Sequence, residues 1–251
     1  YKIQVDQTGI YKLTYEQLVD MGVKNPANVS VFGYGGAQLP ESFLEPYIDD
    51  LPQLAIHMEK GSDGIFGKGD YILFYAQGPI KWKYDKSTKC FEHEVNTYSF
   101  YGYYFVTSDF PTQKLIQTSK SLEPTKNEII TSFTDYYLYE KDEVNLLNSG
   151  RVFLCDQFNQ SQLSRTYSIN VPNILKESAS IRVVAAHTSF SSAYMEITVD
   201  NVVLANSKLG ARPSNDFVAT KTTIKKDFIP SKADEIKLKL TYSNPTSTAY
   251  L

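Results

Sequence analysis

Four stretches in the carboxy-terminal part of the chain, SRTYSINV, SIRVVAAHT, AYMEITVDNVVLA and DEIKLKLTYS, are strand-length runs spaced by turn-forming residues. Strands of this kind each carry one apolar face, and burying those faces against one another gives an antiparallel sandwich, here expected to be jelly-roll-like. Within the third stretch, Asp200-Asn201 stands between ITV and VVL. Both residue types tolerate positive φ, so the pair suits a tight hairpin turn.

The amino-terminal part has a different texture. KIQV alternates as a strand, DQTG is turn chemistry, and IYKL resumes as a strand, which predicts a hairpin. Thr14 is a suitable N-cap with Gln17 three residues on, Leu13 and Leu18 stand at staple positions, and Gly22 can close the helix in the left-handed conformation. A short helix over about 15–21 is expected. VSVFG reads as a buried strand and GYGGAQLPE as a glycine-rich turn, while LPQLAIHMEKG reads as a strand with His57 at its end or as a short helix. In YILFYAQG and NTYSFYGYYFVTSD the apolar residues occupy both parities, the pattern of strands covered on both faces. The polar stretch from Gln117 to Asn127 is a loop or an excursion between elements. The change of texture puts a domain boundary near residue 145. The expected organisation is a mainly β chain of two β-rich domains, 1–145 aromatic-rich with the short helix and 146–251 the antiparallel β-sandwich.

Composition narrows the function classes. The chain has 251 residues, long enough for two cores, with 19 Tyr and 14 Phe and a formal net charge of −3. Basic residues are interspersed with acidic ones, so the electrostatic footprint of nucleic-acid binding is missing and no nucleic-acid partner is expected. No run of about 18 apolar residues occurs, so no helical transmembrane segment is expected. The sequence begins at YKIQV without a basic, apolar leader, which places any signal peptide outside it. Two cysteines, Cys90 and Cys155, are too few for a disulfide scaffold or a four-ligand zinc site. They are expected as buried thiols, with pairing left open.

Several constellations can be tested for chemistry. Set on a calcium loop, GSDGIFGKGDYILFYAQGP would use Glu59 as the first position, Gly61 as the third, Asp63-Gly64 as the fifth and sixth, Gly67 as the ninth and Asp70 as the last. Gly61 and Gly67 offer no side-chain oxygen and Asp70 is short for bidentate closure, so the stretch reads instead as turns entering a central strand. GYGGAQ has Gln38 where a dinucleotide fingerprint has its third glycine and Pro40 where a helix would begin. Its glycines read as turn residues with positive φ. Cys90 and His93 share a C-x-x-H spacing, but strand alternation sends them to opposite faces, and Glu92 and Glu94 flank the histidine. With 28 acidic residues, no carboxylate pair is singled out. Trp82, the single tryptophan, is either a sugar-stacking platform or, as is commoner beside a strand end, core or interface filling.

Five stretches, VDQTGIYKLTYEQL, VFGYGGAQLPE, GDYILFYAQGPIKWKYD, NTYSFYGYYFVTS and NLLNSGRVFLCDQF, in this order and spacing, resemble the amino-terminal region of the type IX secretion system sortases, gingipain-related cysteine peptidases of Bacteroidetes. The resemblance runs through motifs from about Val5 to Phe158. It implies an extracytoplasmic protein of the outer-membrane surface that removes the sorting domain of secreted cargo and joins the new carboxyl end to a lipopolysaccharide, through a Cys nucleophile with a His partner. In the family that His lies in a Gly-His-Gly context and the Cys follows small residues, in a peptidase domain beyond this region. His57, His93, His187, Cys90 and Cys155 have no such surroundings. No catalytic, cofactor-binding or metal-binding residue is therefore assigned. The chain is expected to stop before that domain, with the domain itself, secreted cargo and secretion-system components as partners. The family often has a Trp and a Glu after NSGR, where this chain has RVFLCDQF. A free-standing carbohydrate-binding or adhesin-like β module is the alternative.

Overall fold

Strand β1 (Lys2–Val5) and strand β2 (Gly9–Thr14) are separated by three residues yet lie in different sheets. The computed structural model describes residues 1–46, 49–120, 129–146, 152–214 and 219–251. It divides into two units, Tyr1–Tyr136 and Tyr137–Leu251, upstream of the position near 145 expected from sequence texture. The expected β1–β2 hairpin does not form. Instead, the linking residues pack elsewhere: Thr8 Oγ1 accepts the Gly78 N–H at 3.1 Å, and the Tyr11 hydroxyl donates to the Gln7 carbonyl at 2.8 Å. Each strand thus brings apolar residues to one core from opposite sides, Val5 from one sheet and Tyr11 and Leu13 from the other.

The rest of the first unit follows from this crossing. Helix α1 (Tyr15–Asp20) starts at a complete capping box: the Gln17 N–H donates to Thr14 Oγ1 at 3.2 Å and the Thr14 N–H to Gln17 Oε1 at 2.9 Å. Such a cap stabilises a helix by about 1 kcal/mol. It ends in a Schellman arrangement, with the Gly22 N–H on the Val19 carbonyl, the Val23 N–H on the Leu18 carbonyl, and Gly22 at φ +86°. Then come β3 (Ser30–Phe32), β4 (Ile56–Glu59), β5 (Tyr71–Ala76), β6 (Ile80–Asp85), β7 (Cys90–Val95) and β8 (Gly102–Thr107). One sheet has the order β1-β8-β3 and a second β2-β5-β4, while β6 and β7 form a two-stranded ribbon. The residues around His57 are the strand β4, not a helix, and His57 lies inside it.

Buried Val5, Val31, Tyr104 and Val106 from the first sheet meet Ile56, Ile72 and Phe74 from the second, with Leu18 of α1 in the same core. Both aromatic strands were expected to be covered on two faces. They are not: Ile72 and Phe74 are buried while Tyr75 is 52% exposed, and Tyr104 is buried while Phe105 is 38% exposed. Large aromatic rings occupy the outward face too, which is why periodicity alone read as two-sided burial.

The second unit contains β9 (Gln157–Phe158), β10 (Ser164–Asn170), β11 (Ala179–His187), β12 (Ala193–Val199), β13 (Val202–Leu209), β14 (Thr220–Phe228), β15 (Glu235–Tyr242) and β16 (Ala249–Tyr250). They make two antiparallel sheets, β10-β15-β12-β13 and β14-β11-β16-β9. Apart from β12 to β13, each successive strand changes sheet, the winding of a jelly-roll sandwich. The β12–β13 hairpin turns at Asp200-Asn201, with φ +48° and +69°, as expected for a turn of the I′ kind. Its core includes Phe158, Met195, Ile197, Leu209, Leu240 and Tyr242.

Candidate functional site

Alternation along β8 sends Tyr104 and Val106 into the core and Tyr103 and Phe105 outward. The outward rings line a cleft of about 500 Å³ together with Tyr34, Tyr98 and Tyr101. Gly35 and Gly36 also line it. Three glycines meet at Gly36: a Cβ there would lie 2.6 Å from Gly102 Cα and 2.7 Å from the Gly78 carbonyl carbon.

The walls are tied to one another by amides. Asn96 Nδ2 donates to the Gly36 carbonyl at 2.7 Å, and Asn96 Oδ1 accepts the Tyr98 N–H at 2.9 Å. Gln38 accepts the Thr97 N–H at 3.3 Å and donates to Glu41 at 3.3 Å. Tyr34, Tyr98 and Tyr101 are 39%, 77% and 39% exposed. Beside the cleft, Lys2 Nζ stands 3.7 Å from the centre of the Tyr103 ring, a cation–π contact. Behind β8, Tyr104 donates to the Gln77 carbonyl at 3.2 Å and accepts its N–H at 2.6 Å, and burial raises its pKa.

The residues weighed from sequence lie elsewhere. In the stretch tested as a calcium loop, Asp70 accepts the Gly61 N–H at 3.0 Å and the Gly67 N–H at 2.8 Å, and Asp63 accepts the Ile65 N–H at 3.0 Å. Glu59 instead faces His57 at 3.1 Å. The carboxylates therefore organise turns leading into β5. Cys90 and His93 both lie on β7, three positions apart and so on opposite faces. Both cysteines are free, but Cys90 is only half-buried rather than buried as expected. Cys155 is buried, and burial pushes its thiol up. His187 is buried, its Nε2 2.5 Å from the Gly210 carbonyl and its Nδ1 3.4 Å from the Tyr242 hydroxyl. Trp82 pairs with His93 across the β6–β7 ribbon and stacks on Tyr136, centroids 3.8 Å apart at 29°. A ring covered in this way is filling rather than an open platform.

No family model and no curated protein matches the chain. The crystal structure of dimeric latent PorU from Porphyromonas gingivalis superposes on it over 100% of its length, with a TM-score of 0.81 and 26% identity. This chain is built like a region of PorU. It spans 23% of the PorU chain, and the likeness agrees with the sortase resemblance carried by the sequence motifs. A cycloisomaltooligosaccharide glucanotransferase of Paenibacillus sp., 21% identical over 35% of this chain and 12% of its own, superposes with a TM-score of only 0.26, too low to carry an inference.

The PorU-like stretch around Asn148 to Arg151, next to the expected departure from the family pattern, lies outside the described residues, as do 121–127 of the polar loop. Sequence reasoning missed the cleft. Its signal was present in NTYSFYGYYFV, where aromatic residues at both parities mark a second, outward row.

Proposed function

We propose that this chain is the non-catalytic amino-terminal region of a type IX secretion sortase-like cysteine peptidase. At the outer-membrane surface it packs on its own downstream peptidase domain or docks secreted cargo and secretion-system components. The observation that carries the reading is the PorU likeness, which extends over the whole chain yet accounts for 23% of PorU. Thiol chemistry supports the non-catalytic part. A nucleophilic cysteine needs a base within hydrogen-bond reach and a thiolate-favouring setting. Burial drives Cys155 the other way, and Cys90 has its nearest histidine in sequence, His93, on the opposite face of the strand.

Two measurements test the reading. The reading frame after Leu251 is expected to encode a peptidase domain with a Gly-His-Gly histidine and a separate nucleophilic cysteine. A frame that ends shortly after Leu251 would overturn the reading and leave a free-standing carbohydrate-binding or adhesin-like module. The purified chain is also expected to leave peptide substrates intact. Cleavage abolished by Cys90→Ala with Cys155→Ala would make the region catalytic.

A further inference from the structure

We infer that a cup at one end of the sandwich takes a neutral pyranose. The pairing of Ala249 with Phe158 sets the turn after β9 beside the loop before β16, and residues of these two segments line a cavity of about 420 Å³. That volume falls within the range of small-ligand sites, about 300–1,000 Å³. The described residues lining it are uncharged and, Pro245 apart, carry amides or hydroxyls. Both segments are braced in the same way. Asn159 Oδ1 accepts the Ser161 N–H at 3.0 Å and its hydroxyl at 2.6 Å, and Asn244 Oδ1 accepts the Thr246 N–H at 3.0 Å and its hydroxyl at 2.7 Å. Asn244 Nδ2 also donates to Ser189 Oγ at 3.1 Å. A site fixed beforehand leaves little ordering for binding to cost. With their protons committed, the Ser161 and Thr246 hydroxyl oxygens remain as acceptors. Asn159 Nδ2, the Gln160 amide and the Thr248 hydroxyl make no hydrogen bond among the described residues and are left to donate. A pyranose hydroxyl gives and takes a hydrogen bond at one atom, so it meets both sets. A carboxylate or phosphate only accepts, and an ammonium only donates. Pro245 adds an apolar ring for the C–H face of the sugar.

This sugar site goes beyond the proposed function and stands apart from it. Its test follows the backbone amide NMR signals of residues 159–162 and 246–248 in the whole chain during titration with the methyl α-glycosides of glucose, galactose and mannose. At least one glycoside is expected to shift these signals saturably, and equally at low and high salt, since no charge is paired. Gln160→Ala and Thr248→Val each remove one hydrogen bond to the ligand and are expected to weaken binding about fivefold, the scale of one net hydrogen bond. Gln160 is exposed and the Thr248→Val change keeps the side-chain shape, so both variants keep the fold. Binding of the trisaccharide of the same sugar alongside the glycoside assigns the ligand to the end of a glycan, and binding of the glycoside alone assigns it to a free sugar; both support the inference. Signals unmoved by all three glycosides up to about 100 mM, a hundredfold above a millimolar site, would overturn it. So would unchanged affinity in both variants, or shifts produced instead by inorganic phosphate or by the peptide acetyl-Gly-Ser-Gly-Ser-Gly-amide. Such a failure leaves the sortase-like reading untouched, whereas a reading frame that ends shortly after Leu251 overturns that reading and leaves a measured sugar site in place.

Discussion

A methyl group added to Gly36 would sit 2.6 Å from Gly102 Cα and 2.7 Å from the carbonyl carbon of Gly78, both backbone atoms that have no rotamer to escape into. In the sequence this glycine belongs to GYGGAQ, a run that reads as turn chemistry. For Gly35, at φ +108°, that reading holds. Gly36, which lines the cleft, is required for another reason, the close approach of three backbone segments, and no local pattern announces such an approach. Gly36→Ala is expected to destabilise the first unit by about 2 kcal/mol, the scale of overpacking a filled site. Urea unfolding followed by Trp82 fluorescence measures this, because the only tryptophan lies in that unit. Gly9→Ala, in the same unit, is the control: nothing lies within 4 Å of its added Cβ, and an unchanged midpoint is expected there. Equal effects of the two substitutions would contradict the packing described.

At the scale of elements, local signals were read well where their physics is local. The capping box at Thr14 and Gln17 and the Asp200-Asn201 turn concern neighbouring residues, and both formed as expected. The Asp200 turn is also held from a distance. Its Oδ1 accepts the Lys237 N–H at 2.9 Å, and its Oδ2 accepts the Ser231 hydroxyl at 2.6 Å. Burial raises the pKa of this carboxyl, but the hydrogen bonds from Ser231 and Lys237 outweigh it and leave the pKa below the ordinary value. A depressed carboxyl stabilises the fold above its unfolded pKa, about 4, and the contribution is lost as pH falls through the folded value. Asp200→Asn, which keeps a turn-competent residue, is expected to be less stable than the parent near neutral pH. The gap should close in acid. A stability difference independent of pH would assign the effect to the turn backbone instead. By contrast, the DQTG turn did not make a hairpin of β1 and β2, because the anchors of Gln7 and Thr8 are Tyr11 and the remote Gly78.

Across the whole molecule the tyrosines link structure to pH. Burial raises the pKa of Tyr104 in the first unit and of Tyr139, Tyr167 and Tyr242 in the second. Tyr139 and Tyr167 also both donate to Asp156 Oδ2 at 2.8 Å, which adds to the shift. Folded phenols that ionise later than unfolded ones contribute stability in full below about pH 10 and lose it as pH rises toward the folded values. With three such groups against one among the described residues, the second unit is expected to lose stability more steeply above pH 10 or so. Denaturant unfolding at several alkaline pH values checks this, with Trp82 fluorescence reporting the first unit and tyrosinate absorbance both. A first unit that fails earlier would refute it. The sequence by itself determined the strand periods, the helix with its caps, the turn at Asp200-Asn201 and the antiparallel sandwich, since these depend on residue spacing and backbone preference. Tertiary structure alone decided that β1 and β2 enter different sheets, that the second row of aromatics faces outward as a cleft, and that Trp82 is covered by Tyr136. Alternation says which residues share a face, but what lies against that face is set by segments far away in the chain.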